Sequence, residues 1–248
     1  MSLEYGYVEK KLVNWLQEKV ADAGKKGAVV GLSGGLDSSV TAVLCKKAFS
    51  DNVQGIIMPC YSKEKDAADA ELVADKFNIE YLSKDLSPIL DKYMEVLEDS
   101  TEYKNNMAVA NMKPRLRMIT LYYYAAKKDY LVIGTDNWSE LKVGYFTKHG
   151  DGGIDLAPIG RLVKTEVREL AGYLGVPDKI IKKAPSAGLW KEQTDEAEMG
   201  FSYETLDKYI LTGKAPADKK ERIEELINKN RHKVEPIPMP ERKELINN

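Results

Sequence analysis

Hydrophobic positions along the chain switch repeatedly between two periods. Val8, Leu12, Leu16 and Val20 recur at helical spacing and predict a helix over 7–21. Ala28–Leu32 is a short apolar run that reads as a buried strand. Val40, Val43, Leu44 and Ala48 then predict a helix to about Phe49, and Val53–Met58 a second strand stopped by Pro59. Ala70, Val73, Ala74 and Phe77 mark another helical face, followed by a short strand at Glu80–Leu82 and helical residues near 87–98. Pro114 suits the first turn of a further helix, with Leu116, Ile119 and Tyr123 as its buried stripe. Tyr130–Ile133 is a strand ending at Gly134. Strands alternating with helices predict an α/β fold with a doubly wound, mostly parallel sheet and helices on both faces. Ligands of such sheets bind beyond the carboxyl ends of the strands.

The pattern changes after residue 145. Thr147–Asp155 is glycine-rich and aperiodic, and reads as a long functional loop. Val167, Leu170, Ala171 and Leu174 predict a helix near Lys164–Leu174, ended by Gly175 and Pro177. Residues 182–200 read as loop, two short helices follow near 203–211 and 217–229, and Pro236–Pro240 is too proline-rich for regular structure. The expectation is one domain over 1–248, with a helical and extended C-terminal segment from about 203.

Composition narrows the class. Lysine and arginine (37) nearly balance aspartate and glutamate (39), which argues against a dedicated nucleic-acid partner. Cys45 and Cys60 have no His/Cys cluster around them and read as core thiols of a reducing compartment. The N-terminal residues are not a signal peptide, and no run of 18 apolar residues occurs. These features lead us to expect a cytoplasmic protein without a membrane partner.

Chemistry concentrates in Gly31-Leu32-Ser33-Gly34-Gly35-Leu36-Asp37-Ser38, between a predicted strand and a predicted helix. Small residues there let backbone N–H groups approach an anion, and the helix points its positive end at the same place. Asp37 would repel a phosphate unless a divalent cation lay between them, which predicts Mg²⁺. The loop has no Gly-Lys-Ser/Thr of a Walker A motif and no G-x-G-x-x-G. It resembles the Ser-Gly-Gly-x-Asp-Ser loop of the ATP pyrophosphatase superfamily, whose members cleave ATP between the α- and β-phosphates on a Rossmann-like fold.

Further motifs sharpen the resemblance. Gly134-Thr135-Asp136-Asn137-Trp138-Ser139-Glu140 and Gly144–Gly152 look like the central signature of the ammonia-dependent NAD synthetase family. So do Pro158-Ile159, Lys164-Thr165, Pro185-Ser186-Ala187, Gln193–Glu196 and His232-Lys233. The resemblance implies ATP-dependent amidation of nicotinic acid adenine dinucleotide (deamido-NAD) by ammonia. An adenylated intermediate forms, and AMP and pyrophosphate leave. It implies ATP contacts at Gly31, Leu32, Ser33, Gly34, Gly35, Leu36, Asp37, Ser38, Thr135, Lys164 and Ser186, and Mg²⁺ on Asp37 and Glu140. It assigns deamido-NAD to Arg115, Lys148, Asp155, His232 and Lys233. Arg117 is a second arginine by spacing alone. No protein nucleophile is implied, because adenylation itself converts an oxide leaving group into AMP. A homodimer with the dinucleotide across its interface, and direct use of ammonia without a glutaminase domain, are also implied.

Two other readings remain open at the level of residues. One is a different adenylating, tRNA-modifying ATP pyrophosphatase. The other is a nucleotide-binding module without chemistry, which would have no need of Asp37, Glu140 and the 147–155 loop together.

Overall fold

The computed structural model describes residues 3–97, 106–185 and 194–246. Helix α1 (Tyr5–Asp22) leads into β1 (Ala28–Gly31), α2 (Leu36–Phe49), β2 (Val53–Ile57), α3 (Glu64–Lys76), β3 (Tyr81–Ser83), α4 (Ser87–Val96), α5 (Met107–Lys128) and β4 (Leu131–Ile133). The strands form one parallel sheet in the order β3-β2-β1-β4. Ala28 lies beside Val53 on one side and Leu131 on the other.

The sheet is apolar on both faces, which is why its strands read as continuous rather than alternating runs. Val30, Ile57 and Ile133 join a core closed by residues of α1, α2, α3 and a later helix, α7 (Lys164–Leu174). Val29, Ile56 and Val132 face the other way, against Leu90 and Met94 of α4 and Val109 and Ala125 of α5. Cys45 and Cys60 are buried in these two cores, as expected of structural thiols.

α5 departs from the expectation. It begins before Pro114, at Met107, capped by Asn106, whose side chain accepts from the Ala108 and Val109 N–H groups. Pro114 therefore sits inside the helix, and Ile119 and Tyr123 face solvent. The packed line runs instead through Val109, Leu121, Tyr122 and Ala125. α7 spans the residues its periodicity predicts. Gly175 ends it in the left-handed region (φ 79°), and the Val176 N–H closes on the Ala171 carbonyl.

Two short helices, α6 (Trp138–Val143) and α8 (Asp178–Ile181), flank α7 in sequence. Then come α9 (Asp195–Met199), α10 (Tyr203–Thr212) and α11 (Ala217–Val234). α9 falls in the stretch expected to be loop. Met199, Phe201, Tyr203, Leu206 and Ile223 pack on Val143 of α6, a third core away from the sheet. Among the described residues β4 is an edge strand, and 155–156 cover it. Leu156 bridges Ile133, and the Gly134 N–H donates to the Leu156 carbonyl at 2.8 Å. No described helix is long and apolar enough to cross a membrane.

Candidate active site

The loop Gly31–Ser38 leaves the carboxyl end of β1 and turns into α2. Gly34 has φ +69°, and a Cβ there would lie 2.3 Å from the Asp66 carbonyl oxygen, so only glycine fits. Gly35 caps α2 without a side-chain acceptor, so the amides of its first turn are offered to the loop's concave side. The Ser33 and Ser38 hydroxyls are 2.9 Å apart, and the Gly35 N–H donates to Ser33 Oγ at 3.3 Å. Lys183 holds the loop from outside, its Nζ donating to the Gly34 carbonyl (3.0 Å), Asp66 (2.8 Å) and Asp69 (2.9 Å).

Asp37 lies in the first turn of α2. Asn137 donates to its Oδ1 at 3.0 Å and Lys164 Nζ to its Oδ2 at 2.5 Å. The same ammonium donates to Glu140 Oε1 at 3.0 Å. Glu140 is placed by local sequence: Asn137 and Glu140 form a capping box on α6, with bonds of 3.0 and 3.2 Å. Lys164 is the first residue of α7, where a cation opposes the helix dipole. The anions that stabilise it there are these two carboxylates.

Burial disfavours charge on Lys164, which is 3% exposed, but Asp37 and Glu140 outweigh it and hold the ammonium above its ordinary range. Glu140 is pushed up to about 7, first by burial and then by Asp37, against the pull of Lys164. Asp136 is buried one turn before Glu140. Burial, with the charges of Asp151, Glu140 and Asp37, raises its carboxyl well above the ordinary range, and its Oδ2 has no hydrogen-bond partner.

Among the described residues no three metal-type side chains converge into a cage. Two carboxylates within reach of one cation do. That donor set fits Mg²⁺, which takes one or two carboxylates and completes its shell with phosphate oxygens and water.

A second group of predicted residues gathers around 144–148. Lys148 Nζ donates to the His232 carbonyl at 2.6 Å, and Arg115 reaches the Lys148 carbonyl at 3.5 Å. Lys233 Nζ donates to the carbonyls of Gly144 (2.7 Å) and Phe146 (2.8 Å). α6 joins the two groups, Glu140 in its first turn and Gly144 at its end. Asp155 stands in neither group. Its carboxylate accepts from Tyr122 (2.9 Å) and from the Val132 N–H (2.8 Å), so it braces β4. Arg117 turns toward β2, donating to the Met58 carbonyl (3.0 Å) and Ser62 (3.2 Å). Thr135 follows β4 directly, half-buried, while Ser186 lies outside the described residues.

Among the buried polar residues that the sequence reading gave no role are Asp136, Tyr203 and Asp207. The available signal for the last two was polar side chains on an apolar helical stripe, with Leu206 between them.

A parallel sheet with a glycine loop entering a helix at its carboxyl edge, and two carboxylates beside that loop sharing one buried lysine, defines an α/β nucleotide-binding fold. The comparisons narrow that class. The family model described as NAD synthase matches residues 8–237, and the chain belongs to that family. It is similar to an NH(3)-dependent NAD(+) synthetase of Carboxydothermus hydrogenoformans, 52% identical over 233 residues, 93% of this chain and 96% of the relative. Of solved structures, an NMN synthetase from Francisella tularensis aligns at TM-score 0.91 and 38% identity, covering 96% of this chain and 99% of that one. An NH3-dependent NAD synthetase from Campylobacter jejuni, in complex with the nitrate ion, aligns at TM-score 0.80 and 33% identity, covering 97% and 100%.

Proposed function

We propose that this protein synthesises NAD by amidating the pyridine carboxylate of deamido-NAD with ammonia, driven by cleavage of ATP to AMP and pyrophosphate. The observation that carries this reading is the Asp37–Lys164–Glu140 cluster at the mouth of the glycine loop, in a chain whose named relatives are ammonia-dependent synthetases. The backbone of Gly31–Ser38 and the Ser33 and Ser38 hydroxyls bind the ATP phosphates, with Thr135, Lys164 and Ser186 as further contacts. Asp37 and Glu140 hold Mg²⁺, which when bound neutralises phosphate charge. Lys164 adds a fixed positive charge beside the same phosphates. Arg115, Lys148 and Lys233 supply the cations that an anionic dinucleotide requires, with His232 and Asp155 as its remaining contacts. The chemistry is then positioning and charge neutralisation, with no protein nucleophile.

The same reading makes residues 1–248 one synthetase domain that works in the cytoplasm without a nucleic-acid partner. It also makes the protein a homodimer. Ile89, Tyr93 and Val96 of α4 and Ile119 and Tyr123 of α5 are exposed apolar side chains, a surface suited to a second copy.

The test is product analysis. Purified protein with ATP, Mg²⁺, ammonium and deamido-NAD yields NAD, AMP and pyrophosphate in equal amounts. ADP in place of AMP refutes cleavage at the α-phosphate. Because one well-matched structure is an NMN synthetase, the corresponding mononucleotide is run in parallel. A higher kcat/KM on it than on deamido-NAD overturns the substrate assignment and leaves the reaction class standing.

A further inference from the structure

α10 carries none of the residues assigned above, yet its buried face touches every part of the Lys164–Glu140 centre. Tyr203 and Asp207 lie one helical turn apart, 0% and 3% exposed. The Tyr203 hydroxyl is 3.3 Å from Glu140 Oε1 and 3.1 Å from Asp195 Oδ2, and the Lys164 ammonium lies 5.0 Å from the centroid of its ring. Asp207 acts one layer further out. Its Oδ2 accepts from the Thr165 N–H at 2.8 Å and its Oδ1 from the Ser139 hydroxyl at 2.5 Å, while Ser139 Oγ accepts from the Lys164 N–H at 3.0 Å. Val163, at the cap of α7, has no side-chain oxygen to offer, so the Asp207 carboxylate from another helix caps the Thr165 amide and the Ser139 hydroxyl caps that of Lys164. Ser139 precedes Glu140 and Thr165 follows Lys164. One acid on α10 therefore sets the separation of the two segments that carry the cation and its partner.

We propose that Tyr203 and Asp207 are positioning residues for nucleotide chemistry: Tyr203 orients the Glu140 carboxylate and supports Lys164, and Asp207, through Ser139, holds α6 against α7. The proposal rests on the reading that Asp37 and Glu140 hold Mg²⁺ with ATP. The C-terminal helices are then part of the catalytic apparatus, and a hydroxyl that touches no substrate controls how well the metal ligand is aimed.

Tyr203→Phe removes only that hydroxyl. Calorimetric titration of the variant with ATP in Mg²⁺ is expected to give about tenfold weaker binding, the scale of one lost hydrogen bond to a charged group. ATP binding in EDTA, and KM for deamido-NAD, stay at wild-type values. Tyr203→Leu, which also removes the ring beneath Lys164, weakens ATP binding in EDTA as well. Ser139→Ala breaks the Asp207 clasp and lowers kcat, and Ser139→Thr restores it. Asp207→Asn follows Ser139→Ala if it folds, and Ser139→Ala alone decides that arm if it does not. Wild-type Mg²⁺-dependent ATP affinity in Tyr203→Phe overturns the proposal, as does an equal loss for ATP and dinucleotide, which marks general damage. If the wild-type protein binds ATP equally with and without Mg²⁺, the metal reading itself fails, and this inference with it.

Discussion

Replacing Lys164 with methionine removes the ammonium and keeps most of the side-chain volume. Asp37 and Glu140 then face each other without a shared cation. Both oxygens lie on one Nζ, at 2.5 and 3.0 Å, so they are at most about 5.5 Å apart. Their side chains are only 17% and 13% exposed, which limits screening. At an effective dielectric near 20, two unit charges at that distance repel by about 3 kcal/mol. Breaking one partner of a buried pair has a similar scale, about 3–5 kcal/mol. For a chain of this length the 3 kcal/mol figure corresponds to a fall of roughly 6–12 °C in Tm.

The loss depends on pH in a defined direction. Glu140 titrates at about 7 in the folded protein against 4.5 ordinarily, so its contribution to stability is full below 4.5 and fades as pH rises through 7. Without Lys164 the largest pull against burial and Asp37 is gone, leaving the Asn137 N–H, and the fade moves to higher pH and deepens. The wild-type ammonium stays charged throughout pH 5–9 because its pKa is raised. The deficit of Lys164→Met is therefore smaller near pH 5, where only the pair with Asp37 is lost, and grows toward pH 9. Urea unfolding of both proteins in EDTA across that range measures it. A variant as stable as wild type at pH 9, or a deficit independent of pH, refutes the electrostatic account of the cluster.

Two further outcomes follow from the same geometry. Asp37→Ala leaves the circular dichroism spectrum intact and lowers AMP formation by at least about 100-fold, as loss of a transition-state charge partner does; retained turnover places the metal elsewhere. Gly34→Ala forces a Cβ onto the Asp66 carbonyl in a left-handed backbone, so unfolding shows a loss of about 2 kcal/mol or more together with weakened ATP binding. An unchanged midpoint refutes the tight fit of that loop.

The sheet was legible because burial on both faces leaves one signature, the mainly apolar runs at 28–32, 53–58 (interrupted by Gln54) and 130–133. The turn from β1 into α2 was legible because its close backbone approach to Asp66 demands glycine. α5 was misread because proline suits a first turn, where the N–H has no helical partner, whereas Pro114 lies beyond the first turn of a helix whose true cap, Asn106, is upstream of it. Periodicity places Tyr203 and Asp207 on a buried stripe but does not say what they hold. Their partners are distant in sequence, Ser139 being 68 residues from Asp207 and Glu140 63 from Tyr203. A buried polar group declares its purpose only when the atom it satisfies is known. Lys164 was legible as an anion contact, but its resting partners were not, since nothing local to 164 names residue 37.

The pairing of 155–156 with β4 has a wider effect than local order. A bare parallel edge is a template on which foreign strands can grow, and here the chain's own return segment occupies it. The same stitch pins the far end of the stretch that starts at Gly144, whose carbonyl Lys233 grips. Residues 147–153 thus lie between two fixed posts, and Thr147 and Lys148 tie their start to Asn111 and to the His232 carbonyl as well. The conformational entropy lost by tying a segment at both ends grows only with the logarithm of its length, so fixing it there costs little.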